Sequence, residues 1–578
     1  MSTSFQRILT SVSCLVFATC AQGADATADL VLIDGNVITV DEQMPKAEAV
    51  AIILGRIASV GTTAEIRSLI GPETKIVDLK GRTLIPGLID SHTHPTGASL
   101  TEFDHEIPTL TTVADVLRYI RARAVELGEG RWIVVQQVFI TRLQEKRYPT
   151  RQELDQVAPK NPVIFRTGPD ASLNSLALAH FEIDRSFENP PGSKIEKQAQ
   201  TGEPTGIVRG WGGVLTIPSE GKRPSKQDRY ERLKQLFLDY NSVGLTSIAD
   251  RNASVEASSL YQQLLARNEL TLRVAMSRSV SNRGNTKEMA SAIKRVAAEP
   301  MFRRHDWLRT IGVKMFLDGG MLTGSAYMLE PWGVSEIYSI TDPGYRGLRF
   351  LSDDQLNVAV QTAVTAGLQF TAHSVGDGAV AALVRVIESV SAKGGLNQSR
   401  PNVTHANFIN TDTIERMARV GVTADIQPAW LYLDAATLSK QFEGERMRHF
   451  QPLRQMVNAG VRFGAGSDHM QKIGSLRSIN PYNPFLGMWI AVTRSALGLS
   501  LATHPENGIT IQEALKAYTL DNAYLLFQEE STGSITTGKW ANLVVIDRDL
   551  TTCPVDDIRG TQVVQTFVAG EEVYRRVE

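Results

Sequence analysis

The middle of this chain repeats one pattern eight times: a short, apolar, β-branched run followed by a stretch with helical spacing. The runs fall at 84–90, 244–250, 271–277, 311–318, 368–374, 402–407, 422–427 and 461–468. Amphipathic helical spacing occupies, for example, 354–366, 379–391 and 411–420, and follows the last run at 511–527. Strands that alternate with helices in this way lie parallel, because a parallel neighbour can be reached only by a crossover. Eight such units predict an α/β fold, a (β/α)8 TIM-type barrel. The segment between the first and second runs is too long for a single helix. Residues from about 98 to 235 are therefore expected to form an inserted subdomain with strands of its own at 132–140 and 162–167.

Both ends of the chain have a different texture. Residues 29–40, 49–60 and 75–79 read as hairpin strands broken at Gly35-Asn36 and Gly55-Arg56, and 533–547, 563–568 and 571–574 repeat that style around Ala569-Gly570. Neither end has enough strands to bury a face alone. The two are expected to combine into one small β-sandwich, 24–83 with 532–578, leaving 84–531 to the barrel.

Before these strands, Arg7 precedes an apolar stretch, 8–20, that ends in Ala21-Gln22-Gly23-Ala24. This is the layout of a secretory signal, 1–23, cut after Gly23, and it predicts export to the periplasm or beyond. The stretch is too short to span a bilayer, so no integral membrane segment is expected after cleavage. An acyl anchor on Cys20 is the alternative, but Phe17-Ala18-Thr19 fits that signal poorly. Cleavage leaves Cys553 as the only cysteine of the mature chain, which therefore forms no internal disulfide. The net charge of -2 and the lack of any basic run exclude nucleic acid as a partner. A small-molecule substrate is expected, and a homo-oligomer is left open.

Barrels of this type place their chemistry at the carboxyl ends of the strands. There the first run ends in Asp90-Ser91-His92-Thr93-His94, and with a side-chain period of two His92 and His94 project to the same side. Such a pair is a metal half-site, since neutral imidazole is a common ligand for zinc. The fourth run carries Lys314, the fifth ends at His373, the sixth at His405 and the eighth at Asp468. Each taken alone has a structural explanation. Together, in this strand order, they point to one functional mouth.

This pattern resembles the amidohydrolase superfamily, metal-dependent hydrolases on a (β/α)8 barrel with a β-sandwich made from both chain ends. Pro86-Gly87-Leu88-Ile89-Asp90-Ser91-His92-Thr93-His94 carries most of the resemblance. Gly202 to Gly206, Gly244 to Ser247, Lys314 to Gly319, His373 to Asp377, Gln427-Pro428 and Gly533 to Val545 are similar to amidohydrolase family 3, which includes N-substituted formamide deformylase-like proteins. The resemblance implies a divalent metal site, one or two ions, most simply Zn²⁺, although Fe²⁺, Mn²⁺ or Co²⁺ suit the same donors. His92, His94 and Asp468 would hold one ion and His373 and His405 another, bridged by a carboxylated Lys314; an unmodified Lys314 would mean a single ion. Asp468 would also be the general base that takes a proton from water and returns it to the leaving amine. His469 faces the opposite side of its strand and is expected either to support the ligands from behind or to be structural.

The implied activity is hydrolysis of an amide-type carbon–nitrogen bond, with an N-acyl or N-formyl amine as substrate. Cyclic amides, esters, or a barrel that has lost catalysis are the alternatives, and the complete set of six ligand positions favours the enzyme. One departure bears on substrate. Where the family commonly has Asp-Gly-His before Asn-Ser, this chain reads Pro169-Asp170-Ala171-Ser172-Leu173-Asn174-Ser175. The histidine is absent, and Asp170 is expected either to favour a basic substrate group or to lie in a turn without a role. Trp430 and Tyr432, after Gln427-Pro428, are expected on a loop over the mouth, either shaping the pocket or serving ordinary packing.

Overall fold

The computed structural model describes residues 27–577 except 217, 219, 304, 397 and 443. The expected signal at 1–23, with Cys20, lies outside the described residues. No helix among those described is long and apolar enough to cross a membrane.

Eight parallel strands form the central sheet: β1 (Leu88–Thr93), β2 (Leu245–Ala253), β3 (Arg273–Ser279), β4 (Leu308–Phe316), β5 (Gln369–Ser374), β6 (Asn402–His405), β7 (Thr423–Ile426) and β8 (Phe463–Ala465). Each pairs with its neighbour in chain order. The ring closes between its first and last members through a parallel bridge, Thr93 to His469. These strands are buried on both faces, which is why they read as continuous apolar runs rather than as alternating ones.

The first strand differs from its sequence expectation. The run at 84–90 is two strands, Thr83–Pro86 and β1, broken at Gly87. A Cβ at Gly87 would lie 2.3 Å from Thr246 Oγ1, so only glycine allows the chain to turn from one sheet into the other here. Thr83–Pro86 belongs to the terminal domain, where it pairs antiparallel with Leu543–Ile546 (Leu543 opposite Pro86). That pairing sews the two chain ends together inside a six-stranded sheet. Its side chains alternate as a two-sided sheet requires: Leu84, Leu543 and Val545 face the sandwich core with Leu30, Leu32 and Val50, while Ile85, Val544 and Ile546 pack on the barrel. The second sheet of the sandwich contains Leu30–Ile33, Ala49–Ile53, Arg56–Gly61 and Lys75–Asp78.

The insertion between β1 and β2 has its own five-stranded sheet, in the order Lys194–Lys197, Pro204–Arg209, Asp170–Leu173, Val163–Thr167, Ile133–Val135. A helix, Lys226–Ser242, then returns the chain to β2; Ser225 and Asp228 form a capping box at its start.

Candidate metal centre and cavity

The closure of the barrel assembles the site. Asp468 N–H donates to the His92 carbonyl and His94 N–H donates to the His469 carbonyl, both at 2.8 Å, so the backbone holds the β1 and β8 ends side by side. Asp90 clamps the same seam: its carboxylate accepts the amides of His92 (2.9 Å) and Ser467 (3.0 Å) and the Ser467 hydroxyl (2.6 Å). A Cβ at Gly466 would meet Asp90 Oδ1 at 2.6 Å, which leaves glycine as the residue compatible with this approach. Asp468 and His405 have φ of 55° and 76°, in the left-handed region that non-glycine residues rarely adopt and that is frequent at functional sites.

His92, His94 and Asp468 offer one ligand atom each, all within 4.8 Å of one another. His92 Nε2 lies 3.3 Å from His94 Nε2, and Asp468 Oδ1 lies 3.5 and 3.1 Å from these two nitrogens. The tautomer of His92 follows from its other side, where Nδ1–H donates to Asp425 Oδ1 at 2.9 Å. Nε2 therefore presents a lone pair, and burial pushes the imidazole well below its ordinary pKa, keeping it neutral. His94 Nε2 and Asp468 Oδ1 face that lone pair. A divalent cation satisfies all three, so the donor set fits a metal.

The remaining expected ligands adjoin this group. The His405 ring lies 4.9 Å from that of His92 and 4.6 Å from that of His373. His405 Nδ1–H donates to Gln427 Oε1 (2.7 Å) and His373 Nε2–H donates to the Gly319 carbonyl (3.1 Å), leaving each ring one lone pair. Lys314 is buried, and its ammonium makes no hydrogen bond or ion pair among the described residues. Desolvation lowers its pKa to about 8, against the opposing pull of Asp425 and Asp468. All six residues line one cavity of about 1020 Å³.

Sequence reasoning missed the residue that organises them. Asp425, on β7, accepts from His92 Nδ1 and Gln427 Nε2, each at 2.9 Å, and from Asn402 Nδ2 (2.6 Å) and Thr404 Oγ1 (3.1 Å), with Arg251 Nε at 3.7 Å. One carboxylate thus orients His92 directly and His405 through Gln427. Its signal was present: a charged residue inside an otherwise apolar strand must find partners. His469 is structural, accepting from or donating to Tyr240 Oη (2.6 Å) on one side and meeting the Gln471 and Lys472 carbonyls on the other.

Of the three residues expected to meet substrate, Trp430 lines the cavity and stacks on His405 at 4.8 Å. Asp170 does not reach it. The carboxylate is fully buried, 3.6 Å from Arg209 Nη1, and accepts the Gly210 amide, because a buried carboxylate without such partners would be costly. Tyr432 also lies away from the cavity, its ring edge-on to Trp489 at 5.8 Å. The insertion also lines the cavity, through Phe139, Arg166 and Trp211.

A closed eight-stranded barrel with a histidine–aspartate centre at its strand ends defines a metal-dependent hydrolase. Comparison with known proteins agrees: the chain belongs to the Amidohydrolase family, which it matches over residues 75–574. It is thus a hydrolase of carbon–nitrogen bonds. It is 28% identical over 562 residues to N-substituted formamide deformylase of Arthrobacter pascens, covering 95% of this chain and 98% of that one. It is 26% identical to Protein LONG AFTER FAR-RED 3 of Arabidopsis thaliana, over 95% of this chain and 92% of the relative. An uncharacterized metal-dependent hydrolase from Pyrococcus horikoshii OT3 shares the fold, with a TM-score of 0.64, 19% identity, and coverage of 91% and 99%.

Proposed function

We propose that this protein hydrolyses the C–N bond of an N-acyl or N-formyl amine, with Asp468 as general base and acid. The observation that carries the reading is the convergence of His92 Nε2, His94 Nε2 and Asp468 Oδ1 at the floor of a cavity large enough for a small organic substrate. The similarity to a protein named N-substituted formamide deformylase over nearly the whole chain supports the acyl class.

His92, His94 and Asp468 would hold one divalent ion, and His373 and His405 a second. When bound, such an ion supplies Lewis acidity, polarising a carbonyl and acidifying water toward neutral pH. Zinc suits this nitrogen and oxygen donor set. Lys314 is placed to react with CO₂, since a buried lysine without an ion pair is an amine for part of the time near neutral pH, and its carbamate would add an anionic oxygen ligand between the two ions.

The residues of the chain do the rest. Asp468 takes the proton of the attacking water as oxygen bonds to the acyl carbon; the C–N bond then breaks, and Asp468 returns the proton to the departing nitrogen. Asp425 holds His92 in the tautomer whose Nε2 faces the cavity. Trp430, stacked on His405, excludes water from that side. The protein, produced in zinc and bicarbonate, should release amine and carboxylate from a panel of N-formyl and N-acetyl amines, with activity removed by chelation and restored by zinc. Zinc-replete protein that cleaves none of them would refute the reading.

A further inference from the structure

Arg166 differs from Arg142, Arg147 and Arg209 of the same insertion. Arg142 is paired with Asp434, Arg147 with Glu153, and Arg209 with Glu196 and Asp170. Arg166, on the strand Val163–Thr167, has no carboxylate partner among the described residues and yet lines the cavity shared with the metal centre. Its Nη1 donates to a neutral acceptor, Gln136 Oε1, at 3.1 Å, and its Nε is buried with no hydrogen-bond partner. Burial is the sole influence acting on its pKa and lowers it. A guanidinium left in this state calls for an anion, since desolvating a cation without a counter-charge is costly.

The surroundings are built to hold a flat, charged group. The guanidinium carbon lies 5.2 Å from the centre of the Trp211 ring. Trp211 is itself fixed to the turn after the Arg166 strand: its indole N–H donates to the Gly168 carbonyl (3.0 Å) and its amide to the Pro169 carbonyl (2.9 Å). The carboxylates that line the cavity, Asp250, Asp318 and Asp468, are all on the barrel strand ends or just past them. Asp250 accepts from Tyr261 Oη, and Asp318 from the amides of Tyr327, Val375 and Gly376. The insertion contributes no carboxylate among the described lining residues, and Arg283, past β3, also lines the cavity. The described carboxylates that line the cavity are thus confined to barrel segments, while the insertion brings Arg166 and Trp211 to it.

We propose that Arg166 and Trp211 form a carboxylate-binding subsite, so that the substrate is an N-acyl amine bearing a carboxylate, beside an apolar or aromatic group, remote from the scissile bond. This rests on the amide-hydrolase reading for the identity of that bond, but the subsite can be tested by binding alone. Arg166 is then a specificity-determining residue, since a guanidinium matches a carboxylate in charge and geometry.

The probes are N-formyl-4-(aminomethyl)benzoic acid, whose carboxylate lies across an aromatic ring from the formamide, and its neutral carboxamide, titrated by calorimetry into zinc-loaded protein. The wild type should bind the acid at least about tenfold more tightly than the carboxamide, the scale of a charge-assisted hydrogen bond. Arg166→Gln should bring that ratio to within about twofold, and Arg166→Lys should keep part of it. Circular dichroism melts check that each variant is folded; if Arg166→Gln is not, the wild-type ratio and Arg166→Lys still decide. Equal affinity of the wild type for both probes, binding of neither, or an unchanged ratio in folded Arg166→Gln overturns the subsite. Formate release is followed in parallel. Preferential binding of the acid without release from any N-acyl amine would sink the hydrolytic reading and leave the subsite standing, whereas release without preference would do the reverse.

Discussion

Replacing Asp425 with asparagine tests whether one buried carboxylate organises the whole centre. The side chain keeps its size, but an NH₂ group replaces an oxygen in a position where the surrounding hydrogen-bonding groups all donate: His92 Nδ1, Gln427 Nε2, Asn402 Nδ2 and Thr404 Oγ1. Whichever way the amide is turned, a donor faces a donor. Turned toward His92, it moves the imidazole proton from Nδ1 to Nε2 and removes the lone pair from the metal site. Turned toward Asn402, it opposes a 2.6 Å hydrogen bond. Hydrogen bonds to a charged group contribute about 1.5–3 kcal/mol, and loss of a partner that orients a metal ligand costs about 10–100-fold in metal affinity or activity. For Asp425→Asn we expect zinc affinity, measured by competition with a chromophoric chelator, to fall about 30-fold, or ~2 kcal/mol. The metal-free protein should also lose about 3 kcal/mol in denaturant unfolding, because Arg251 is left buried without its counter-charge. The low end of that range applies, as the pair is separated by 3.7 Å. A folded Asp425→Asn protein that binds zinc within twofold of the wild type would refute the reasoning.

Further outcomes follow from the same geometry. Asp468→Asn should lower kcat by about 10²- to 10⁴-fold, the usual contribution of a general base; a loss under tenfold on an N-acyl amine would remove Asp468 from that role. Lys314→Met should halve the zinc content that wild-type protein reaches in bicarbonate, as read by elemental analysis, and an unchanged stoichiometry would exclude a bridging carbamate. Away from the site, the Arg147 hydrogen bond, with those of Thr150, lowers the Glu153 pKa to about 2. A depressed carboxylate stabilises the fold above its unfolded pKa and loses that contribution as pH falls through the folded value, so the window runs from about pH 4.5 down to 2. Both partners are partly exposed, so Arg147→Met should cost about 1 kcal/mol or less at pH 7, and the deficit should shrink toward pH 2 in urea titrations.

How much of this was legible without coordinates differs between elements. Seven of the eight barrel strands, and the helix at 411–420, appear close to where period and turn residues put them, because local side-chain spacing already decides which face a residue buries. The first strand was read as one run because both Leu84-Ile85 and Leu88-Ile89 are apolar. Only the approach of Thr246 to Gly87 shows that two sheets meet there. Asp170 was read either as a substrate contact, from its place in a family segment, or as part of a turn without a role, but its partner Arg209 comes from another strand of the insertion, 39 positions away by the numbering, and spacing cannot reveal such a pairing.

The sequence by itself determined the fold class, the strand-end position of His92, His94, Lys314, His373, His405 and Asp468, and so the kind of chemistry to expect. Tertiary structure decided how those residues act together. Closure of β1 against β8 brings Asp468 to within hydrogen-bonding reach of His94, Asp425 sets the imidazole tautomers from across the ring, and the insertion folds back to bring Arg166 and Trp211 to the same cavity. The physical reason is that periodicity is a property of neighbouring residues, whereas lone pairs, tautomers and uncompensated charge depend on side chains that the chain separates by hundreds of positions and only the closed barrel brings together.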